Sequence, residues 1–324
     1  MRILFFTDTH LRGNNPESRK DDFPATLKRK LAEVVAIASD YQVDLVIHGG
    51  DVFDIPVPSL TVTASYFNIL QKIPAPIYAI AGNHDIFAHN PATLERTMLG
   101  FIAGLGLLHL LVPGEKVYIE KKGIRLQLTG QHYHYDIDAR DPALDYMPPD
   151  KKDCDVAVHV VHGMLLDKPF PLIRHTLVEQ IVKTPADITL CGHNHIGFAD
   201  VVVDGKYFLN CGALVRLSNH PEEIKRWPQV LIIDLSGGGV KRERVRLQSA
   251  LPGEEVLDRE KIRLREEKSQ RLAEFIQALK QEQDLAFTSV NSIVNAIAQQ
   301  EGLEPAVREE ALKRIAAAQE RLGG

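Results

Sequence analysis

Five apolar runs in the first two thirds of the chain each end directly in a short polar cluster. The runs are short and bounded by turn residues, which predicts buried strands at 3–7, 45–48, 77–81, 156–161 and 188–191. Side chains at the carboxyl ends of several strands can meet in one crevice of an α/β sheet, so we expect one shared site. The clusters are Asp8-Thr9-His10, Gly50-Asp51-Val52-Phe53-Asp54, Gly82-Asn83-His84-Asp85, His162-Gly163 and Gly192-His193-Asn194-His195.

These clusters contain oxygen and imidazole donors but no thiolate. That donor set suits intermediate divalent metals such as manganese, iron or zinc. Two such metals a few Å apart can bind phosphate oxygens and lower the pKa of a bridging water, which a resistant phosphodiester requires. A bridging ligand must be short, anionic and bidentate. Asp51 fits this need, and Gly49 and Gly50 before it allow close backbone approach.

The five motifs, in this order, resemble those of the calcineurin-like metallophosphoesterase superfamily. Gly-Asp-Val-Phe-Asp at 50–54 and Gly-Asn-His-Asp at 82–85 look most like the DNA-repair nucleases of the SbcD type. The resemblance covers roughly residues 1–250. It implies an α/β fold, a four-layer αββα sandwich of the metallophosphoesterase type, with a helical C-terminal appendage at 254–324.

The resemblance also implies a role for each site residue. One metal would take Asp8, His10, Asp51 and His195, and the other would take Asp51, Asn83, His162 and His193. His84 would be the catalytic histidine that contacts the scissile phosphate or protonates the leaving oxygen. Asp85 would orient and charge-stabilise the His84 imidazole, and Asp54 would support the loop near His10.

The remaining histidines have plainer interpretations. His48 and His159 lie in strands and are expected to be hydrogen-bonded core residues. Residues 131–153 form a long polar loop with Pro148-Pro149 at its end. Its histidines, His132 and His134, either pack the loop or line the cleft. Loop packing is also the favoured role of Tyr133 and Tyr135, with base stacking as the alternative.

Composition excludes some function classes. The chain has 324 residues, with 44% hydrophobic and 25% charged residues, as in ordinary globular proteins. Its net charge of -5 argues against coating nucleic acid by charge alone, but leaves a nuclease open. The three cysteines suggest no disulfide framework. No apolar stretch reaches the roughly 18 residues of a membrane span. The N-terminus runs straight into the first motif, so we expect a cytoplasmic protein.

Helical periodicity appears between the strands and dominates the tail. Helices are predicted through Leu27–Ala38, Leu60–Leu70 and Leu94–Ile102, and a hairpin is predicted about Gly123. Beyond Pro252-Gly253, apolar stripes recur at Leu272–Leu279 and Val290–Ile297. A last helix should begin at Pro305. The tail is too short and too helical for the capping region of full-length SbcD-type chains.

We therefore expect a two-metal phosphodiesterase, a DNA nuclease using manganese, with iron or zinc as other options. The resemblance implies a partner, an SbcC-type ATPase of the SMC family, docked on C-terminal helices. Packing of those helices on the core is the alternative, and a homodimer stays open. Two other functions stay open. One is a phosphoesterase acting on nucleotides or phosphoproteins, and the other is a scaffold subunit of an ATPase complex.

Overall fold

A computed structural model describes residues 1–218, 220–258, 294–295, 297–299 and 301–322. The chain divides into two units, Met1–Ile262 and Arg263–Gly324. The first unit contains both large sheets and all of the motifs named above. In the described part of the second unit, an 18-residue helix stands at Pro305–Leu322.

The first sheet has six strands, and four of them are parallel. β1 (Arg2–Phe6), β2 (Leu45–His48), β3 (Ile77–Ala79) and β4 (His109–Leu110) run in the same direction. On the other side of β1, β13 (Gln229–Asp234) and then β14 (Lys241–Arg246) pair antiparallel. The carboxyl ends of β1, β2 and β3 therefore share one edge of the sheet.

The second sheet also has six strands and a parallel centre. Its order is β11 (Phe198–Val203), β12 (Lys206–Asn210), β10 (Ile188–His193), β7 (Val156–Gly163), β6 (Ile124–Gln131) and β5 (Val117–Lys121). The two edge strands are antiparallel to their neighbours, and the four inner strands are parallel. A two-stranded ribbon, β8 (Leu165–Leu166) with β9 (Thr176–Leu177), completes the pairing.

Helices flank the sheets and begin at capping residues. In α1 (Phe23–Asp40) the Asp22 side chain accepts the Ala25 N–H, and in α2 (Leu60–Leu70) Ser59 accepts the Val62 N–H. The other helices are α3 (Met98–Gly104), α4 (Ala143–Tyr146), α5 (Pro221–Lys225), α6 (Gly253–Val256) and α7 (Pro305–Leu322). Short 3₁₀ turns cover Phe87–His89, Pro91–Arg96 and Val178–Gln180.

Strand alternation divides the core into layers. Leu4 and Phe6 of β1 face α1 and α2, whereas Ile3 and Phe5 face the second sheet. On the outer face of the second sheet, Val161 and Phe208 pack against the loop carrying α4 and against Leu165. The predicted αββα sandwich is confirmed, although short elements and loops form much of its fourth layer.

Most elements fall where the sequence predicts them, but one of the predicted helices is divided. The single helix expected through Leu94–Ile102 is a 3₁₀ turn followed by α3, because the extended residue Thr97 caps α3 by accepting the Gly100 N–H. The last helix does begin at Pro305. The stripe at Leu272–Leu279 lies outside the described residues, as does most of the stripe at Val290–Ile297. No helix among the described residues is long and apolar enough to cross a membrane.

Candidate metal centre

The polar clusters meet where β1, β2 and β3 of the first sheet face β7 and β10 of the second. Backbone bonds join the first two clusters, since Asp8 N–H donates to Gly50 and His10 N–H donates to the Asp51 carbonyl, each at 3.0 Å. Four site residues have left-handed backbone: Asp8 (φ 54°), His10 (φ 42°), Asp51 (φ 50°) and His193 (φ 72°). Such backbone costs about 1–3 kcal/mol per residue and concentrates at functional sites.

One group of donors gathers around Asp8 and His10. Ligand atoms of Asp8, His10, Asp51 and His195 all lie within 4.8 Å of one another. The Nε2 atoms of His10 and His195 face each other at 3.2 Å, and His195 Nε2 lies 3.5 Å from Asp8 Oδ1. These four residues are the set that the resemblance assigns to one metal.

A second group shares Asp51 with the first. Asp51, His162 and His193 also place ligand atoms within 4.8 Å of one another. His162 Nε2 lies 3.4 Å from Asp51 Oδ2 and 3.3 Å from the amide oxygen of Asn83. The second predicted set is therefore brought together too, with Asp51 between the groups.

Two glycines let the loops approach this closely. A Cβ added at Gly82 would lie 2.1 Å from Asp51 Oδ1 and 2.4 Å from the Asp51 backbone nitrogen. A Cβ at Gly50, where φ is +97°, would lie 2.4 Å from His162 Nδ1. The expected role of the glycine before Asp51 is confirmed. Gly82 plays the same role from the loop that follows β3 (residues 82–85), here called the third loop.

Hydrogen bonds fix the imidazole orientation at His162. Its Nδ1–H donates to the Gly49 carbonyl at 2.7 Å, because a carbonyl oxygen can only accept. This leaves Nε2 directed at Asp51 and Asn83. Burial lowers the pKa of His162, but the Asp51 carboxylate outweighs it and raises that pKa to about 9. Burial and the neighbouring His162 lower the pKa of His193 to about 3, which keeps its ring neutral.

The two aspartates are held as anions. Burial opposes ionisation at Asp51, but His162 and His10 keep its pKa well below the usual range. Burial is likewise outweighed at Asp8, where His195 and His162 lower the carboxyl pKa. Asp8 accepts the Thr7 hydroxyl at 2.6 Å and the His193 backbone N–H at 3.2 Å. Both carboxylates thus face the donor groups in their charged form.

His84 stands beside the first donor group, and its side chain is exposed. Its ring lies 4.7 Å from the His10 ring, centroid to centroid, and its backbone N–H donates to Asp51 Oδ1 at 2.8 Å. His84 Nδ1–H donates to the Asp54 backbone carbonyl at 2.8 Å. Nε2 is therefore the nitrogen that remains for a substrate.

Asp85 does not occupy the place expected for it. The prediction put its carboxylate on the His84 imidazole, but that imidazole is oriented by the Asp54 carbonyl. Fully buried Asp85 instead accepts backbone N–H groups from Val52, Phe53 and Gly82 at 2.9–3.1 Å. Burial and the nearby Asp51 raise the pKa of Asp85 to about 7. Asp85 therefore ties the loop that follows β2 (residues 50–54), here called the second loop, to the third loop.

Asp54 supports the first donor group from its rim. Its Oδ1 lies 3.4 Å from His10 Nδ1, and its Oδ2 pairs with Arg12 at 2.9 Å. Burial is outweighed by His10 and Arg12, which lower the pKa of the Asp54 carboxyl. This matches the expected position of Asp54 near His10.

The strand histidines are core residues, as predicted. His48 Nε2 bonds the Thr9 hydroxyl, and burial lowers its pKa to about 3. His159 lies between Thr129 and the Asp145 carbonyl, and burial lowers its pKa to about 4.

In the long loop (residues 131–153), the His132 and His134 side chains are buried and have structural partners. His132 accepts the Ala81 N–H at 3.0 Å, and His134 pairs with Asp145 at 2.8 Å. Tyr133 packs against the hydrophobic core as expected, and its half-buried ring also lies 5.3 Å from the His193 ring and 6.2 Å from the His162 ring. It lines the site. Tyr135 is 69% exposed.

Sequence reasoning missed one buried carboxylate at the site. Glu223 Oε1 lies 3.7 Å from His195 Nδ1, on the side of the ring opposite Asp8. It is only 2% exposed and stands on the short helix α5. The helix-start pattern Pro221-Glu222-Glu223 is visible in the sequence, but nothing there points to His195.

The donor chemistry fits divalent cations. The two groups combine carboxylate, amide and imidazole donors, a set suited to metals such as manganese, iron or zinc. Two imidazole nitrogens facing each other at 3.2 Å, beside two carboxylates, form the kind of arrangement that a cation between them would stabilise. His10 Nδ1 is buried and makes no hydrogen bond. Metal binding by these side chains stays a prediction.

A sandwich with aspartate and histidine donors at its strand ends is the architecture expected of a metal-dependent phosphoesterase. The calcineurin-like phosphoesterase family model matches residues 1–197, more than half of the chain. The chain belongs to the calcineurin-like phosphoesterase family.

Two curated relatives of this chain are both described as the DNA double-strand break repair protein Mre11. The DNA double-strand break repair protein Mre11 of Methanosarcina mazei is 27% identical over 257 residues, covering 75% of this chain and 38% of the relative. The protein of that name from Haloferax volcanii is 27% identical over 285 residues, covering 82% and 58%. The chain thus spans less than two thirds of the length of these relatives.

Among solved structures, a dimetal phosphatase from Danio rerio matches 76% of this chain and 96% of its own. The sequence identity is 10% and the TM-score is 0.47.

Proposed function

We propose that this protein is a two-metal phosphodiesterase that cleaves DNA and acts in DNA repair. The observation that carries this is the pair of donor groups sharing Asp51, with His84 on the open side. The similarity to proteins described as DNA double-strand break repair proteins favours DNA as the substrate.

Asp8, His10, Asp51 and His195 would hold one divalent cation, and Asp51, Asn83, His162 and His193 would hold the other. Bound there, the cations would neutralise phosphate charge and supply an activated water. Manganese is our choice because the donors mix hard oxygens with imidazoles. Asp51 is suited to a shared position because both of its carboxylate oxygens are engaged within the site, Oδ1 by His84 N–H and Oδ2 by the histidines.

His84 would act on the substrate. The Nδ1–H of His84 is committed to the Asp54 carbonyl, so in the doubly protonated ring the second proton, on Nε2, can be donated to a phosphate oxygen or to the leaving oxygen. The exposed position of His84 allows this contact, whereas the ligand residues His10 and His162 are fully buried.

The test is cleavage of labelled single- and double-stranded DNA by the purified protein with and without manganese. We expect manganese-dependent cleavage, and a loss of about 10²–10⁴-fold in His84→Ala with both metals retained. His109→Ala is the matched control, since His109 is an exposed histidine on the edge strand β4. Nucleotide and phosphopeptide substrates belong in the same assay. Hydrolysis of these without DNA cleavage would refute the DNA proposal, and equal activity of His84→Ala would refute the role of His84.

For domain organisation we propose that the phosphoesterase domain spans about residues 1–250 and that the helical tail binds an SbcC-type ATPase. Exposed apolar side chains in the described tail support this, because Leu303 is 45% exposed and Val307 is 53% exposed. α6 lies in the first unit, where Val256 and Leu257 pack with Ile224. The proposed partner-binding part therefore begins after α6.

A further inference from the structure

The buried carboxylate of Glu223 has its two oxygens directed at different groups. Oε2 accepts two N–H groups of Arg226, from Nη2 at 2.8 Å and from Nε at 3.1 Å. Oε1 is left to face His195 Nδ1 at 3.7 Å. Glu223 thus presents its second carboxylate oxygen, Oε1, to His195, a predicted metal ligand.

Glu223 is held in this position by its surroundings. Arg226 also donates to the carbonyls of Ala213, at 2.6 Å, and Val215. The next residue of α5, Ile224, is buried with Val256 and Leu257 of the α6 region. The Glu223 side chain is therefore fixed on both sides and cannot swing away without breaking buried contacts.

An imidazole that binds a cation through Nε2 must carry its proton on Nδ1. A hydrogen-bond acceptor near Nδ1 favours this tautomer and commonly supports metal-binding histidines. His162 has such an acceptor in the Gly49 carbonyl. At His195 the Nε2 side faces Asp8 at 3.5 Å, which on its own favours the opposite tautomer. Within the described part of the chain, Glu223 is the carboxylate that faces His195 Nδ1.

We propose that Glu223, held by Arg226, is a positioning residue that sets the tautomer and orientation of His195 for metal binding. This rests on the proposed two-metal function, because it requires His195 to be a ligand. Glu223 itself touches neither substrate nor metal in this account. Supporting carboxylates of this kind typically change metal affinity by about 10–100-fold when removed.

The test is manganese binding by calorimetry, with the full-length chain, for wild type, Glu223→Ala and Glu223→Gln. We expect Glu223→Ala to weaken one of two sites by about 10–100-fold and to leave the other unchanged. Glu223→Gln should be affected less, because its amide oxygen can still accept from Nδ1. Glu222→Ala is the matched control, since Glu222 is an exposed neighbour paired with Lys225. Thermal unfolding of metal-free protein confirms that each variant folds.

A double-mutant cycle with His195→Ala separates positioning from a structural role. If Glu223 acts through His195, its removal should cause no further loss of affinity in the His195→Ala background. A loss that persists there, equal weakening of both sites, or wild-type binding by Glu223→Ala would overturn this inference alone. Absence of metal binding by the wild type would overturn the proposed function as well.

Discussion

Gly82→Ala tests how tightly the third loop packs against the shared aspartate. The added methyl would stand 2.4 Å from the Asp51 backbone nitrogen, where ordinary contacts begin at 3.4 Å. The loops must therefore separate by about 1 Å, and backbone cannot yield as a flexible side chain can. Overpacking of this kind costs about 1–3 kcal/mol of the free energy of unfolding.

The same substitution should also slow DNA cleavage. A displacement of about 1 Å at reacting groups can lower the rate by roughly 10²-fold. Urea unfolding would measure the stability, and manganese-dependent DNA cleavage would measure kcat/KM. Gly104→Ala is the control, because its added methyl meets no atom within 4 Å at the end of α3. Wild-type metal binding and cleavage by Gly82→Ala would refute the placement of Asp51 against this loop.

The remaining predictions concern the core and the tail. Burial keeps the pKa of His159 at about 4 against an ordinary value of 6.5, so the unfolded chain takes up a proton first as the pH falls. The stabilising contribution of the neutral His159 side chain is complete above pH 6.5, and it is lost as the pH falls from 6.5 to 4. From pH 7 to pH 5 the wild type should therefore lose about 2 kcal/mol more than His159→Gln in urea unfolding; equal losses would contradict this. In the tail, Val307→Glu should abolish capture of an SbcC-type ATPase without changing DNA cleavage, whereas the exposed Glu309→Lys should keep both. Undiminished capture by Val307→Glu would place the partner elsewhere.

The strands and the polar clusters at their ends could be predicted from local sequence, whereas the sandwich and the ligand sets were implied by the family resemblance. Short apolar runs give strands, and parallel strands direct their carboxyl ends to one edge, so Asp8 and Asp51 after β1 and β2 had to converge. His162 lies on β7 of the second sheet and reaches them only because the two sheets pack together. The edge strand β11 escaped prediction, since its mixed, half-buried residues give no clean alternation. The break between Pro91–Arg96 and α3 depends on one capping side chain, Thr97, within an otherwise helical pattern.

The supporting contacts could not be predicted because they depend on tertiary geometry. Asp85 follows His84 directly, yet the turn directs its carboxylate into the core and onto backbone N–H groups of the second loop. Glu223 lies 28 residues after His195 in the chain, and only the packing of α5 brings it to that imidazole. Hydrophobic periodicity carries no information on where the Asp85 carboxylate points or on which imidazole Glu223 approaches.

The most direct test of the shared metal site is the metal content of the wild type and of Asp51→Asn after manganese loading and dialysis. Elemental analysis should find two manganese ions per wild-type chain and fewer than one in Asp51→Asn, because both donor groups lose their common carboxylate. The exposed Asp167→Asn should retain two. Two ions in Asp51→Asn, or fewer than two in the wild type, would contradict a centre in which two cations share Asp51.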